Sequence, residues 1–142
     1  MKVREFKIWD TYKTDTMEVT KEHIIEFATK YDPQYLHINE EKAKQTRFKG
    51  IIASGVHTLA MSLSLWIDTG KYGEDLIAGL EINDIKFLKP VYPGDDIYSI
   101  GTVLDVEEKQ NKTGILTLRL STFNQREEQV FQADFVVLMK ND

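Results

Sequence analysis

The run GVHTLAMSLSLWID, residues 55–68, decides the fold. Its apolar positions Val56, Leu59, Ala60, Met61, Leu63, Leu65, Trp66 and Ile67 cover most of a helical circumference rather than one stripe. That distribution predicts a helix buried on nearly all sides. Ser54 stands where an N-cap belongs, and Gly70 where a helix stops. A helix hidden in this way needs something wrapped around it.

The C-terminal half supplies the wrapper. Tyr98, Ile100, Leu104 and Val106 fall on one face of an alternating stretch. Leu116, Leu118 and Leu120 alternate with Thr117, Arg119 and Ser121, and Phe131, Ala133, Phe135, Val137 and Met139 alternate with polar neighbours. Three period-two runs joined by polar turns at 107–112 and 124–128 predict an antiparallel meander. An earlier strand, 76–91, changes phase between Ile82 and Ile85, which predicts a bulge. Pro90 and the Pro93, Gly94, Asp95 group turn the chain into the next strand.

Upstream of the helix, residues 5–19 read as an edge strand or hairpin arm. Thr20, followed by Glu22 and His23, has the pattern of an N-cap with an acidic first turn. The helix it opens carries Ile24, Ile25, Phe27 and Ala28 and ends at Asp32, because the residue before Pro33 is pushed out of helical geometry. Asn39 opens a second short helix, 40–45. The fold class is therefore α+β, one domain spanning residues 1–142, with an antiparallel sheet around a central buried helix.

The chain has 142 residues, 42% apolar and 29% charged, which suits one globular domain. A net charge of −5 without a compensating basic face argues against nucleic acid as a partner. No run approaches the roughly 20 apolar residues that span a bilayer, so no membrane partner is expected. The first ten residues lack the apolar core of a signal peptide. Zero cysteines exclude thiol catalysis, thiolate metal sites and disulfides and fit a reducing, cytoplasmic setting. Three scattered histidines do not have metal-site spacing. His57, in the apolar helix, reads as a satisfied core or interface histidine, and His23 as solvated. Trp9, Trp66, Phe87, Phe123, Phe131 and Phe135 read as core or dimer contacts.

Chemistry concentrates in a short window. YDPQYLH, residues 31–37, sets a carboxylate, Asp32, five residues ahead of an imidazole, His37; Gly55 follows at a helix N-terminus. A base, a second proton-handling group and a backbone N–H aimed at an anion are the parts needed for chemistry beside a carbonyl. Taken singly, Asp32 could be a turn residue and His37 a hydrogen-bonded buried histidine. The combination favours a site.

With YDPQYLH, IASG (52–55) and FLKPVYPGD (87–95) quoted, the chain resembles the MaoC-like dehydratase/hydratase group of hot-dog-fold proteins, which includes (R)-specific enoyl-CoA hydratases. The last block is shared by hot-dog domains broadly; the Asp/His spacing with its downstream glycine is more specific. The resemblance implies one hot-dog domain over residues 1–142. It also implies that Asp32 and His37 form a catalytic dyad and that the Gly55 N–H holds a thioester oxygen. Gln34, with an amide able to orient water, and Ser54 are then substrate-contacting. Departures are Tyr31 where a glycine is common, Gln34 and Tyr35 in place of an Asn-Pro pair, and Leu63 where some members have serine. The implied activity is reversible addition of water to an enoyl thioester in fatty acid metabolism, without a cofactor beyond the CoA or acyl carrier in the substrate. A homodimer or higher homo-oligomer is implied too. A hot-dog thioesterase and a non-catalytic acyl-thioester-binding subunit are the alternatives.

Overall fold

A helix seated on a sheet organises this chain. The computed structural model describes residues Met1–Asp142. In order come β1 (Thr11–Glu18), α1 (Lys21–Tyr31), α2 (Tyr35–Ile38), α3 (Glu40–Ala43) and α4 (Gly55–Ile67). Strands β2 (Leu76–Phe87), β3 (Asp96–Lys109), β4 (Thr113–Phe123) and β5 (Gln129–Lys140) follow. All five strands form one antiparallel sheet in the order β1-β3-β4-β5-β2. No helix is long and apolar enough to cross a membrane.

The meander β3-β4-β5 forms where alternation placed it. Leu116, Leu118 and Leu120 are fully buried, as are Phe131, Ala133 and Met139 on the neighbouring strand. Each such leucine contributes roughly 1.5–3 kcal/mol relative to an exposed one. Helix α4 lies on this face through His57, Thr58, Met61, Ser62, Leu65 and Trp66, positions that repeat every helical turn. Its Ser62 hydroxyl meets the buried Thr122 hydroxyl at 2.6 Å, and Thr122 meets Ser99 at 2.7 Å. Three hydroxyls thus satisfy one another inside an apolar core and pin the helix to β3 and β4.

Two expectations are corrected here. The helix is not enclosed on all sides: Val56 and Ile67 are 55% and 49% exposed, and with Ala60, Leu63 and Ser64 they form a continuous outward stripe. Beside that stripe runs β2, an edge strand whose Ile77, Leu80, Ile82, Ile85 and Phe87 are exposed. The core face of β3 is also the opposite one. Ile97, Ser99, Gly101 and Val103 point inward, while Tyr98, Ile100 and Leu104 lie on the half-exposed face. Small residues are required there by the close approach of α4, and they weaken the apolar signal that pattern reading follows. Tyr98 instead stacks on Phe123 across the outer face, at 5.6 Å between ring centroids.

Smaller differences are local. The early strand is confined to Thr11–Glu18, preceded by a 3-10 turn at Val3–Glu5. The 76–91 strand stops at Phe87, and its register shifts between Asn83 and Lys86 where the phase change foretold a bulge; Asp84 there has φ 53°. The short helix α2 was not read from the sequence. Trp9 is 71% exposed, outside the core. Thr20 caps α1 by accepting from the His23 N–H, and Asn39 caps α3 through the Lys42 N–H, as their residue types predict.

Gly101 tests the seating of α4. A Cβ built there would lie 2.7 Å from the fully buried Trp66 ring. Gly101→Ala is expected to lose about 1–3 kcal/mol of stability by overpacking. Denaturant unfolding measures it; a loss within experimental error would mean that Trp66 is free to yield.

Candidate active site

Asp32 reaches its place because α1 cannot continue into Pro33. Its backbone leaves the helix at φ −156°, ψ 67°, while its N–H still closes the last turn on Ala28 at 2.9 Å. The chain folds back at once, with Gln34 N–H on the Asp32 carbonyl, and winds one turn, α2, that carries His37 inward. The segment 51–54 then passes beneath. Its Ile52 N–H bonds the Leu36 carbonyl and its Ala53 N–H the Val91 carbonyl. These bonds join the dyad segment, the approach to α4 and the post-β2 loop into one floor.

Each Asp32 oxygen is held. Gln34 Nε2 donates to Oδ1 at 2.6 Å and the Ser54 hydroxyl donates to Oδ2 at 2.6 Å. Ser54 occupies the N-cap position of α4, but its side chain makes no capping bond. A fully buried hydroxyl within reach of a carboxylate makes the stronger, charge-assisted bond there. The hydrogen bonds from Ser54 and then Gln34 hold the Asp32 carboxyl below its ordinary range; burial opposes them weakly, and His37 adds a smaller lowering. Asp32 is therefore ionised at neutral pH.

His37 is buried, and its Nδ1 lies 2.7 Å from the Ile52 carbonyl. A carbonyl only accepts, so Nδ1 carries a proton, and in that tautomer of the neutral ring Nε2 is the acceptor. Nε2 stands 3.5 Å from Asp32 Oδ2, too far for a direct hydrogen bond. In that tautomer two acceptors face one point.

That point opens on a cavity of about 410 Å³ lined by Asp32, Gln34, His37 and Gly55, with apolar walls that include Phe48, Val56, Phe87 and Val91. Thr58 N–H to Ser54 C=O is the first bond of α4, so the N–H groups of Gly55, Val56 and His57 have no acceptor in the chain. They carry the positive end of the helix dipole toward the cavity. A Cβ on Gly55 would fall 2.9 Å from the Phe87 ring, so glycine is what lets that ring lie against the helix start.

The structure brings Asp32, His37, Gly55 and Gln34 together on one cavity lining; Ser54, expected to contact substrate, is fully buried behind the Asp32 carboxylate and off that lining. Reading by residue type missed four residues. The Ile52 carbonyl sets the histidine tautomer but has no signature in the residue's identity. Phe48 and Phe87 form walls although they lie far from the dyad in sequence. Thr58 also lines the cavity, and its spacing from Gly55 was the one available hint.

His57 differs from its expected satisfied state. Its ring stacks on Phe27 at 4.4 Å and 7°, but Nδ1 is buried without a partner. Burial, followed by repulsion from His23 and His37, lowers its pKa and keeps it neutral. It faces a shallow 220 Å³ hollow with His23 and Lys30, not the main cavity. Another cavity, of about 470 Å³, lies between Leu63, Ile67 and β2; its lining is largely apolar and holds no acid/base pair.

Ser54→Ala is expected to raise the Asp32 pKa toward its ordinary value, read by carboxyl-carbon NMR titration. The sign carries over to stability. A depressed folded pKa contributes stability above the unfolded pKa, lost as pH falls through the folded value. The variant should begin losing that contribution at higher pH. An unchanged Asp32 titration would remove Ser54 from this role.

Comparison with known proteins gives a consistent family. Residues 5–123 match the family described as MaoC like domain. Uncharacterized protein YdeM of Bacillus subtilis (strain 168) is 52% identical over 140 residues, 99% of this chain and 99% of its own. The solved MaoC-like dehydratase from Rhodospirillum rubrum superimposes with a TM-score of 0.91 at 28% identity, covering 100% of this chain and 98% of that one. An (R)-hydratase from A. caviae, described as involved in PHA biosynthesis, has a TM-score of 0.72 at 19% identity, covering 94% and 97%, and shows a shared fold alone.

Proposed function

This chain belongs to the MaoC-like dehydratase family and has its hot-dog fold, and from that premise we propose that it is an (R)-specific enoyl-CoA hydratase, or 3-hydroxyacyl-thioester dehydratase. It adds water reversibly across the 2,3 double bond of an enoyl thioester. The observation that carries this reading is Asp32 Oδ2 facing His37 Nε2 at 3.5 Å beside the free N–H of Gly55, two acceptors when the imidazole is neutral. One molecule satisfies two facing acceptors by donating to both, and that molecule is water.

In the forward direction the water oxygen attacks the β-carbon of the substrate while Asp32 takes one of its protons. Electron density moves to the thioester oxygen, where the Gly55 N–H and the positive end of α4 receive it. The proton then passes to the α-carbon on the same face, which leaves a 3-hydroxyacyl thioester and restores the carboxylate. Gln34 and Ser54 act by fixing Asp32. No further cofactor enters; CoA or an acyl carrier is part of the substrate. The cysteine-free composition is in keeping with a cytoplasmic setting.

Asp32→Asn and His37→Gln are each expected to fold and to lose at least about a hundredfold in crotonyl-CoA hydration rate, the lower end for a positioned acid or base. Loss of enoyl absorbance and the chirality of the product measure it. An Asp32→Asn protein with most of its rate removes the base; release of free thiol without hydration makes the protein a thioesterase; tight binding without turnover makes it an accessory subunit.

The outward stripe of α4 and the apolar edge of β2 support a homodimer with the two β2 strands joined edge to edge. Long exposed apolar edges are otherwise templates for aggregation. Sedimentation is expected to give twice the 16.5 kDa chain mass. Ile82→Lys, a charge in the middle of that edge, should shift the protein to monomer. A monomeric wild type would leave the edge unexplained.

A further inference from the structure

The catalytic cavity holds an ionised carboxylate and would repel an anion, yet one of its walls, Phe48, is carried by a basic run. Residues 42–49 contain Lys42, Lys44, Arg47 and Lys49 and no acid, in a chain of net charge −5. Phe48 lines the cavity, and its exposed neighbours on either side are Arg47 and Lys49. Three hydrogen bonds fix this turn: Phe48 N–H to the Thr46 hydroxyl at 3.2 Å, Lys49 N–H to the Thr46 carbonyl at 3.1 Å, and the Tyr92 hydroxyl to the Phe48 carbonyl at 3.0 Å. Lys49 is held at φ 64°, a region few lysines adopt.

The one lysine that lines the cavity itself is already engaged. Lys89 lines it but pairs with Glu128 at 2.7 Å, and Lys44 lies 3.8 Å from Glu41. Arg47 and Lys49 have no carboxylate or other side-chain partner. On either side of the cavity-lining Phe48, unpaired positive charge thus sits on two residues carried by a hydrogen-bonded turn.

We propose that Arg47 and Lys49 form an anion site for the phosphate groups of a phosphopantetheine-linked thioester. This inference rests on the thioester reading and deepens it. The matching ligand is neutral at the reacting end, which enters beside Asp32, and anionic at the far end of a long arm, which stays outside. A planar guanidinium receives phosphate oxygens in pairs, and the lysine adds a point charge.

The test compares ligands with and without phosphate. Calorimetric titration of wild type and the Arg47→Ala/Lys49→Ala double variant uses CoA and pantetheine. Lys42→Ala/Lys44→Ala serves as a control that removes the same charge. Arg47→Ala/Lys49→Ala is expected to bind CoA at least tenfold more weakly, with pantetheine unchanged and the control near wild type. Added salt should weaken wild-type binding of CoA and not of pantetheine. An enoyl thioester on an acyl carrier protein distinguishes sources: equal losses for carrier and CoA assign the contact to the shared phosphate, a loss for CoA alone to its nucleotide phosphates. Equal CoA affinity in wild type and variant, or equal losses for CoA and pantetheine, overturns the site. Because binding is read without turnover, that failure is separable from a failure to hydrate crotonyl-CoA. Charge-conserving Arg47→Lys/Lys49→Arg keeps most of the binding if charge is the cause.

Discussion

Everything in this fold depends on how closely α4 can sit on the sheet. Trp66 rests where Gly101 has no side chain, and Ser62 reaches the Thr122 and Ser99 hydroxyls beneath it. Those contacts fix the helix along its axis and about it. Fixing the axis also fixes its first residue. Gly55 comes to lie at the cavity and Ser54 within reach of Asp32, although nothing in the first turn of α4 is itself bonded to the sheet strands through a side chain. A core contact at one end of a helix thereby sets the electrostatics at the other.

The site inherits this rigidity through hydrogen bonds that run to backbone as often as to side chains. The Ile52 carbonyl orients His37, the Val91 carbonyl holds the Ala53 N–H, and the Ala28 carbonyl closes the helix from which Asp32 emerges. Each comes from a different element. A carboxylate that must stay ionised in a half-enclosed cavity needs donors, and here a buried hydroxyl and an amide provide them without adding a second charge. Electrostatic preorganisation of this kind does not rearrange when charge moves.

Much of this was legible before any coordinates. Alternation located β4 and β5 because large apolar residues such as Leu116, Leu118, Leu120 and Phe131 face inward while Thr117, Arg119, Ser121 and Gln132 face outward. Pro33 announced the end of α1, and the phase change between Ile82 and Ile85 announced a distortion of β2. β3 misled because its buried face is built from Ser99 and Gly101, whose smallness serves the helix above and carries no hydropathy. α4 misled differently: its outward stripe is apolar in the sequence, and one chain alone leaves that stripe exposed. The dyad could be named from spacing, but the reason that it faces one point could not, since a backbone carbonyl decides the histidine tautomer. Ser54 was recognised by position as a cap, and its actual bond depends on a residue twenty-two positions away, across the join of two helices.

The grip on Asp32 has a consequence for handedness. One oxygen is engaged by Gln34 and the other by Ser54, so each keeps one free lone pair, and Oδ2 is the oxygen that stands 3.5 Å from His37 Nε2. An oxygen with a single open direction can deliver its solvent molecule along a single line. Under the proposed hydration, a flat alkene laid across the cavity would present only one of its two faces to that line, so the donors that occupy the carboxylate would set which enantiomer forms.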